Sequence, residues 1–181
     1  MDGFLILNVK LKYMQNAHAE RIRNFKYAWR NCNAATLGFA NAVPEGNLQT
    51  KPFEPRFKSF SWEFACITRT RVAYSLGLQT GKLSFAAEHG LQDKAELAKR
   101  SKANILDDVI QSSANILLEI GRIDSPEREN MLTWLLQHER IHHGKLLLYC
   151  SNMKLKLPGS FVKTWGKENF SNAHSIKQAR I

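Results

Sequence analysis

The sequence predicts an all-α protein, a bundle of four helices. Three observations predict it: apolar residues recur at three- and four-residue steps in four separate segments, period-two alternation is weak throughout, and helix-start and helix-stop residues bracket the periodic segments. The chain has 181 residues, 44% of them hydrophobic, which is enough for one core in one domain.

The first segment runs from about residue 16 to 42, with Ile22, Phe25, Trp29 and Leu37 on one stripe, and Pro44-Glu45-Gly46 ends it. The connection EGNLQTKPFEPRFKS follows, and its prolines at 52 and 55 argue against regular structure. A second helix begins near Ser59 and carries Phe60, Phe64, Ile67 and Leu76, with Trp62, Cys66 and Ala73 on a neighbouring stripe, before TGKLSF breaks it. The third starts at Asp93, which with Glu96 forms a capping box with an acidic cap, and runs through Leu97, Ile105, Val109 and Ile116 to Gly121. The fourth has Ser125 as N-cap, Pro126 in the first helical position and Glu127 where the helix dipole favours negative charge. It continues to about Asn152, with Pro158-Gly159 past its end. The expected division is an N-terminal extension over residues 1–15, a helical domain over 16–167 and a polar, basic, mobile tail over 168–181 that has little to bury.

Lys and Arg number 26 against 16 Asp and Glu, a formal net charge of +10 that attracts polyanions. Lys10, Lys12, Arg21, Arg23, Lys26 and Arg30 alternate with Tyr13, Phe25, Tyr27 and Trp29, which superficially suits phosphate contact and base stacking. Those aromatics are more simply the inward stripe of the first helix, and the charges are scattered, so nucleic acid is not the expected partner. Cys32, Cys66 and Cys150 are odd in number and widely spaced, with no C-x-x-C pair, so neither a disulfide framework nor a zinc ribbon is expected. The apolar patch over residues 4–9 is too short for a secretory core, and no run reaches the length of a bilayer span. A cytoplasmic protein with no membrane partner is the expectation.

The chemistry concentrates in LLQHERIHHGKLLLYC. Met131, Leu135, His138, His142, Leu146 and Tyr149 fall on one helix face, which sets His138 and His142 into the inward stripe. Two imidazoles at i and i+4 point the same way and can grip one cation, provided that another helix supplies a third ligand. The other reading is a pair of histidines satisfied by hydrogen bonds in a polar interior. His143 is rotated about 100° from the pair and reads as a rim group. Residues 138–142 also match H-E-x-x-H, the zinc-protease helix in which Glu139 is the general base. The missing strand pattern and the poor supply of a downstream third ligand weigh against a protease; Glu139 is a candidate general base of a metalloenzyme or a surface residue, and its position one step off the histidine stripe favours the surface.

The stretch His138, His142, His143-Gly144-Lys145 and Tyr149 resembles the last helix of the DinB/YfiT family of four-helix bundles, and KLKLPGSFVKTWG is similar to the segment that closes those domains. SFSWEFACITRTRVAYSLGLQTGKLSF resembles the family's second helix and its exit, so the likeness covers residues 15–167. The resemblance implies a divalent metal, zinc or nickel, held by one second-helix histidine and two from the last helix. His138 and His142 match; the second-helix position falls at Cys66, a departure that makes either a Cys/His/His site or a lost one. It further implies a small-molecule substrate, a thiol among the candidates, a thiol S-transferase or hydrolase activity, and a homodimer with a role in stress response. Arg69 and Arg71 are candidates to bind a carboxylate of an acidic thiol, or are a solvated helix face. The alternative is a non-catalytic bundle with a degenerate metal site.

Overall fold

The computed structural model describes residues 2–86 and 90–165. They form helices α1 (Asp2–Ala42), α2 (Phe60–Thr80), α3 (Lys94–Leu97), α4 (Lys102–Ile120), α5 (Pro126–Asn152) and α6 (Gly159–Trp165), and no strand occurs among the described residues. The all-α expectation holds. Among the described residues, no helix is long and apolar enough to cross a membrane. The tail over residues 168–181 lies outside the described residues.

Two of the expected helix starts are where the capping residues put them. Ser59 accepts from the Trp62 amide at 3.3 Å, and Ser125 from that of Arg128 at 3.4 Å, each satisfying one of the donors that a helix leaves unpaired at its first turn. The third segment divides. Asp93 caps only the single turn of α3, and Ser101 opens a new helix by accepting from the Asn104 amide at 3.3 Å. A short hydroxyl side chain that bonds nearby amides offers the backbone an alternative to continuing the previous helix. At the N-terminus the helical backbone of α1 begins at Asp2 and passes through the expected boundary at residues 15 and 16. Within it Trp29 is buried, but Tyr27 is 69% exposed and does not belong to the inward stripe.

Helix α1 packs on α4, α5 and α6, and α2 packs on α3, α4 and α5, so α4 and α5 occupy opposite corners of the bundle. Cross-links fix the directions. Trp29 Nε1 donates to Ser113 Oγ, and Lys102 Nζ to the carbonyls of Asn41 and Val43, so α1 and α4 run antiparallel. Arg71–Glu139 and Arg128 to the Leu78 carbonyl set α2 and α5 antiparallel. Two apolar clusters fill the interior. One gathers Phe39, Phe60, Phe64, Ile67, Leu146 and Tyr149; the other gathers Trp29, Tyr74, Ile116, Ile120, Leu132 and Leu135. Along α5 the clusters occupy residues 131–135 and 146–150, and the buried polar groups Glu139, His142 and His143 fall between them.

Helix α6 straps the outside of α1. Phe161 stacks against Phe39 with ring centroids 4.9 Å apart, and Ser160 Oγ donates to the Ala34 carbonyl at 2.8 Å. The contact needs a bare backbone at Gly38, where a Cβ would lie 2.7 Å from the Pro158 Cβ and would collide with Ser160 Oγ. Gly38→Ala is expected to destabilise the fold by about 1–3 kcal/mol through overpacking, despite a gain of up to about 1 kcal/mol in helix propensity. Gly159→Ala, whose Cβ would meet nothing within 4 Å, is expected to be near neutral. Urea unfolding of the two variants beside the wild type checks both.

Candidate metal centre

Phase is what assembles the site. With α2 started at Ser59, the side chains of Glu63, Cys66 and Thr70 share one face; with α5 started at Ser125, His138, His142, Lys145 and Tyr149 share another. The two faces meet. His138 Nε2 and His142 Nε2 are 3.1 Å apart, Cys66 Sγ is 3.8 Å from His138 Nε2, and Thr70 Oγ1 is 3.4 Å from the same nitrogen. The sulfur and the two imidazoles offer donor atoms all within 4.8 Å of one another. Cys66, His138 and His142, the three ligands expected from the sequence, are therefore brought together across the α2–α5 interface. His142 is buried, whereas Cys66 and His138 are half-buried and form the open side.

The set fits a divalent cation. With bonds of about 2.0–2.1 Å to nitrogen and about 2.3 Å to sulfur, tetrahedral angles separate two nitrogens by roughly 3.3 Å and nitrogen from sulfur by roughly 3.6 Å. The distances here are 3.1 and 3.8 Å. Behind His142 stands Glu63, a residue that sequence reasoning missed. Its Oε2 lies 2.6 Å from His142 Nδ1, and its Oε1 accepts from the Tyr149 hydroxyl at 3.1 Å. Lys145 Nζ also donates to Oε2, at 3.3 Å. With a cation bound, a carboxylate on Nδ1 would hold the proton there and leave the Nε2 lone pair to the metal, the arrangement that orients metal-binding histidines. The available signal was a carboxylate three residues before Cys66 in an otherwise apolar helix start. His138 Nδ1 is buried without a hydrogen-bond partner.

Burial pushes the Cys66 thiol up, but hydrogen bonds with His138 and His142 and the charge of both rings outweigh it and bring it down to about 6. Burial likewise disfavours charge on His142, and its bonds to Cys66 and Glu63 reverse that and hold it above the usual imidazole range. Burial has free rein at the other two thiols, raising Cys32 to about 12, with the nearby Glu139 charge adding to it, and Cys150 to about 11.

A second polar group lies beside the first, and here three expectations are corrected. Glu139 is not on the surface: it is fully buried, and Arg71 grips it with Nε to Oε1 at 2.6 Å and Nη2 to Oε2 at 2.9 Å. Thr36 Oγ1 donates to Oε2 at 2.7 Å. Burial alone would raise this carboxyl, but the Arg71 charge and hydrogen bonds hold it down at about 2. Such a carboxylate is a poor general base, which removes the chemical core of the H-E-x-x-H reading. Arg71 is not a solvated or ligand-binding residue either; it is fully buried, donating also to Asn33 Oδ1 and the Val109 carbonyl. Arg69 donates to the carbonyls of Gln92 and Phe85. His143 is buried instead of at the rim, with Nε2 2.8 Å from Thr36 Oγ1, and burial lowers its pKa to about 4. Cys32, Glu139 and His143 also place donor atoms close together, but the Arg71 guanidinium already occupies the carboxylate.

Removing one partner of a buried, hydrogen-bonded ion pair strands a charge, whereas replacing both by apolar groups is often near neutral. Arg71→Met and Glu139→Leu are each expected to cost about 3–5 kcal/mol, and the double variant less than either. Denaturant unfolding of the four proteins in the cycle measures the coupling.

No protein-family model and no curated protein matches the chain, so the functional reading stands on this geometry.

Proposed function

We propose that the protein is a DinB-like divalent-metal protein in which Cys66, His138 and His142 hold zinc or nickel, and that it acts on a small molecule by thiol S-transfer or hydrolysis. The observation that carries the reading is the convergence of two Nε2 atoms 3.1 Å apart with a thiol sulfur 3.8 Å from one of them, backed by Glu63 at 2.6 Å from His142.

A divalent cation at such a site supplies Lewis acidity, which lowers the pKa of a thiol or of water toward neutrality. The chain's own residues do the rest. Glu63 keeps the proton of His142 on Nδ1, and Tyr149 and Lys145 keep Glu63 in place. The buried Thr70 hydroxyl lies 3.4 Å from His138 Nε2 and helps to hold that ring in place. Cys66 and His138 are the half-buried members of the set, the side from which a small molecule would approach. Glu139 positions α5 and takes no proton from substrate.

One observation favours a second reading. Glu63, His142 and Cys66 follow the carboxylate–imidazole–thiol order of a nucleophilic cysteine, which would act without metal. A bundle that keeps the fold and binds without catalysis is the third.

Elemental analysis of the purified protein separates them. The metal reading expects zinc or nickel at one per chain, lost in Cys66→Ala and His138→Ala. Added metal at about 100 times its Kd should stabilise the wild type by about 2.7 kcal/mol, a Tm rise of roughly 5–10 °C. A protein that carries no metal, and whose Tm does not move with zinc or nickel, sinks the reading. Rapid alkylation of Cys66 in that metal-free protein, abolished in His142→Ala, would establish the second.

A further inference from the structure

Helix α2 has a second polar face, turned away from the metal centre. Cys66 and Thr70 point to α5, whereas Thr68 and Val72 lie roughly 200° round the helix from Thr70 and border a cavity between α2, α4 and the segment before α3. The cavity holds about 280 Å³. That is just under the roughly 300–1,000 Å³ of pockets for drug-sized ligands, and leaves room for one compact ring system.

The charged groups of its lining are already engaged. Arg100 donates from Nη1 to Asp108 and from Nη2 to Gln92 Oε1 at 2.7 Å, and Arg69 Nε donates to the Gln92 carbonyl at 3.1 Å. With its oxygen taken by a guanidinium, the Gln92 carboxamide is left with its NH2 as a donor. Ser112 Oγ gives its proton to the Val109 carbonyl at 3.3 Å, so its lone pairs are left to accept. Thr68 is the telling residue. The hydroxyls of Thr36, Thr80, Thr133 and Thr164 each donate to the carbonyl four residues back. That of Thr68, only 7% exposed, has no hydrogen-bond partner among the described residues. An unpaired hydroxyl at so buried a position is costly, and a ligand in the cavity supplies its partner.

We propose that this cavity binds a small, uncharged heterocycle of the adenine type. A donor from Gln92 and an acceptor from Ser112 match a ring nitrogen beside an exocyclic amino group, the edge that carboxamides read on adenine. Val72, Leu91 and Leu97 offer apolar walls to the ring faces. Gln111 and Asn115, one turn apart on α4 and exposed, stand where the hydroxyls of an attached ribose would emerge. An anion would find both guanidiniums occupied, and a sugar alone would leave the apolar walls unused. The inference does not rest on metal being bound.

Calorimetric titration of adenosine into the full chain tests it. The expected Kd is on the order of 0.1 mM, the same with added zinc and with a chelator. Purine riboside, which keeps the ring nitrogens but lacks the amino donor, should bind at least about tenfold more weakly, because a site built around a donor rejects the analogue without it. Thr68→Val keeps the shape and removes a hydroxyl that the fold does not use; it should weaken adenosine about fivefold or more while leaving Tm unchanged or higher. Gln92→Glu, whose second oxygen replaces the donor, should weaken it about tenfold or more. Absence of binding at about 5 mM adenosine overturns the proposal. So does binding that survives both substitutions, or equal binding of purine riboside. Displacement of adenosine by zinc would put it at the metal centre and overturn the assignment to this cavity.

Discussion

One guanidinium ties the bundle together. Arg71 projects from α2 and donates to Glu139 on α5, Asn33 on α1 and the Val109 carbonyl on α4, so a single buried group touches all four long helices. Its planar fork matches the carboxylate in two parallel bonds, and its face lies 4.9 Å from the Trp29 ring centroid. Burying both charges gains little net stability, because desolvation cancels most of the attraction. What the pair supplies is register. A slip of α5 by one residue shifts it by about 1.5 Å and rotates it by about 100°, which would leave the carboxylate outside the fork and turn His138 and His142 away from Cys66. The geometry of the Cys66, His138 and His142 cluster therefore inherits its precision from a neighbouring ion pair.

The same layer holds two polar clusters with opposite electrostatic outcomes. Around Cys66, partly open to water, two imidazoles stabilise the thiolate. Around Cys32, sealed in the interior next to the Glu139 charge, the thiol is kept protonated. Of three cysteines only one is suited to bind a cation or attack a substrate, since reactivity follows the thiolate. The neighbouring Cys32/Glu139/His143 group shows that proximity of donor atoms does not by itself make a site: its carboxylate is already neutralised by Arg71, and adding a cation would require expelling a buried guanidinium.

What was legible in the sequence is what short-range rules control. Ser59 and Ser125 announce helix starts through a bond made within one turn, and the i, i+4 histidine pair falls on the inward stripe by periodicity alone. Ser101 shows the limit, because its cap competes with the continuation of the helix that Asp93 starts, and only packing decides between one helix and two. Arg71, Glu139 and His143 were read as outward-facing because charged and polar residues usually are. Their hydrogen-bond partners lie 38 or more positions away, and no local pattern encodes that pairing. Glu63 was passed over for the same reason: only the crossing of α2 and α5 gives it a histidine to hold.

A cysteine at position 66 has chemical consequences that the fold alone would hide. A third imidazole would leave a bound divalent cation with two positive charges beside the single carboxylate of Glu63. A thiolate there would supply one negative charge and Glu63 another, offsetting the two charges of a divalent cation and leaving only that of the half-buried Lys145. The softer sulfur donor favours zinc or nickel over magnesium and manganese, and its electron donation tempers the acidity that the cation confers on a fourth ligand. A substrate thiol, itself a soft donor, matches such a centre better than a hard oxygen does. The cysteine thus argues for a tuned centre at least as strongly as for a lost one, because a side chain retained only to fill space would have no need of two imidazoles converging beside its sulfur.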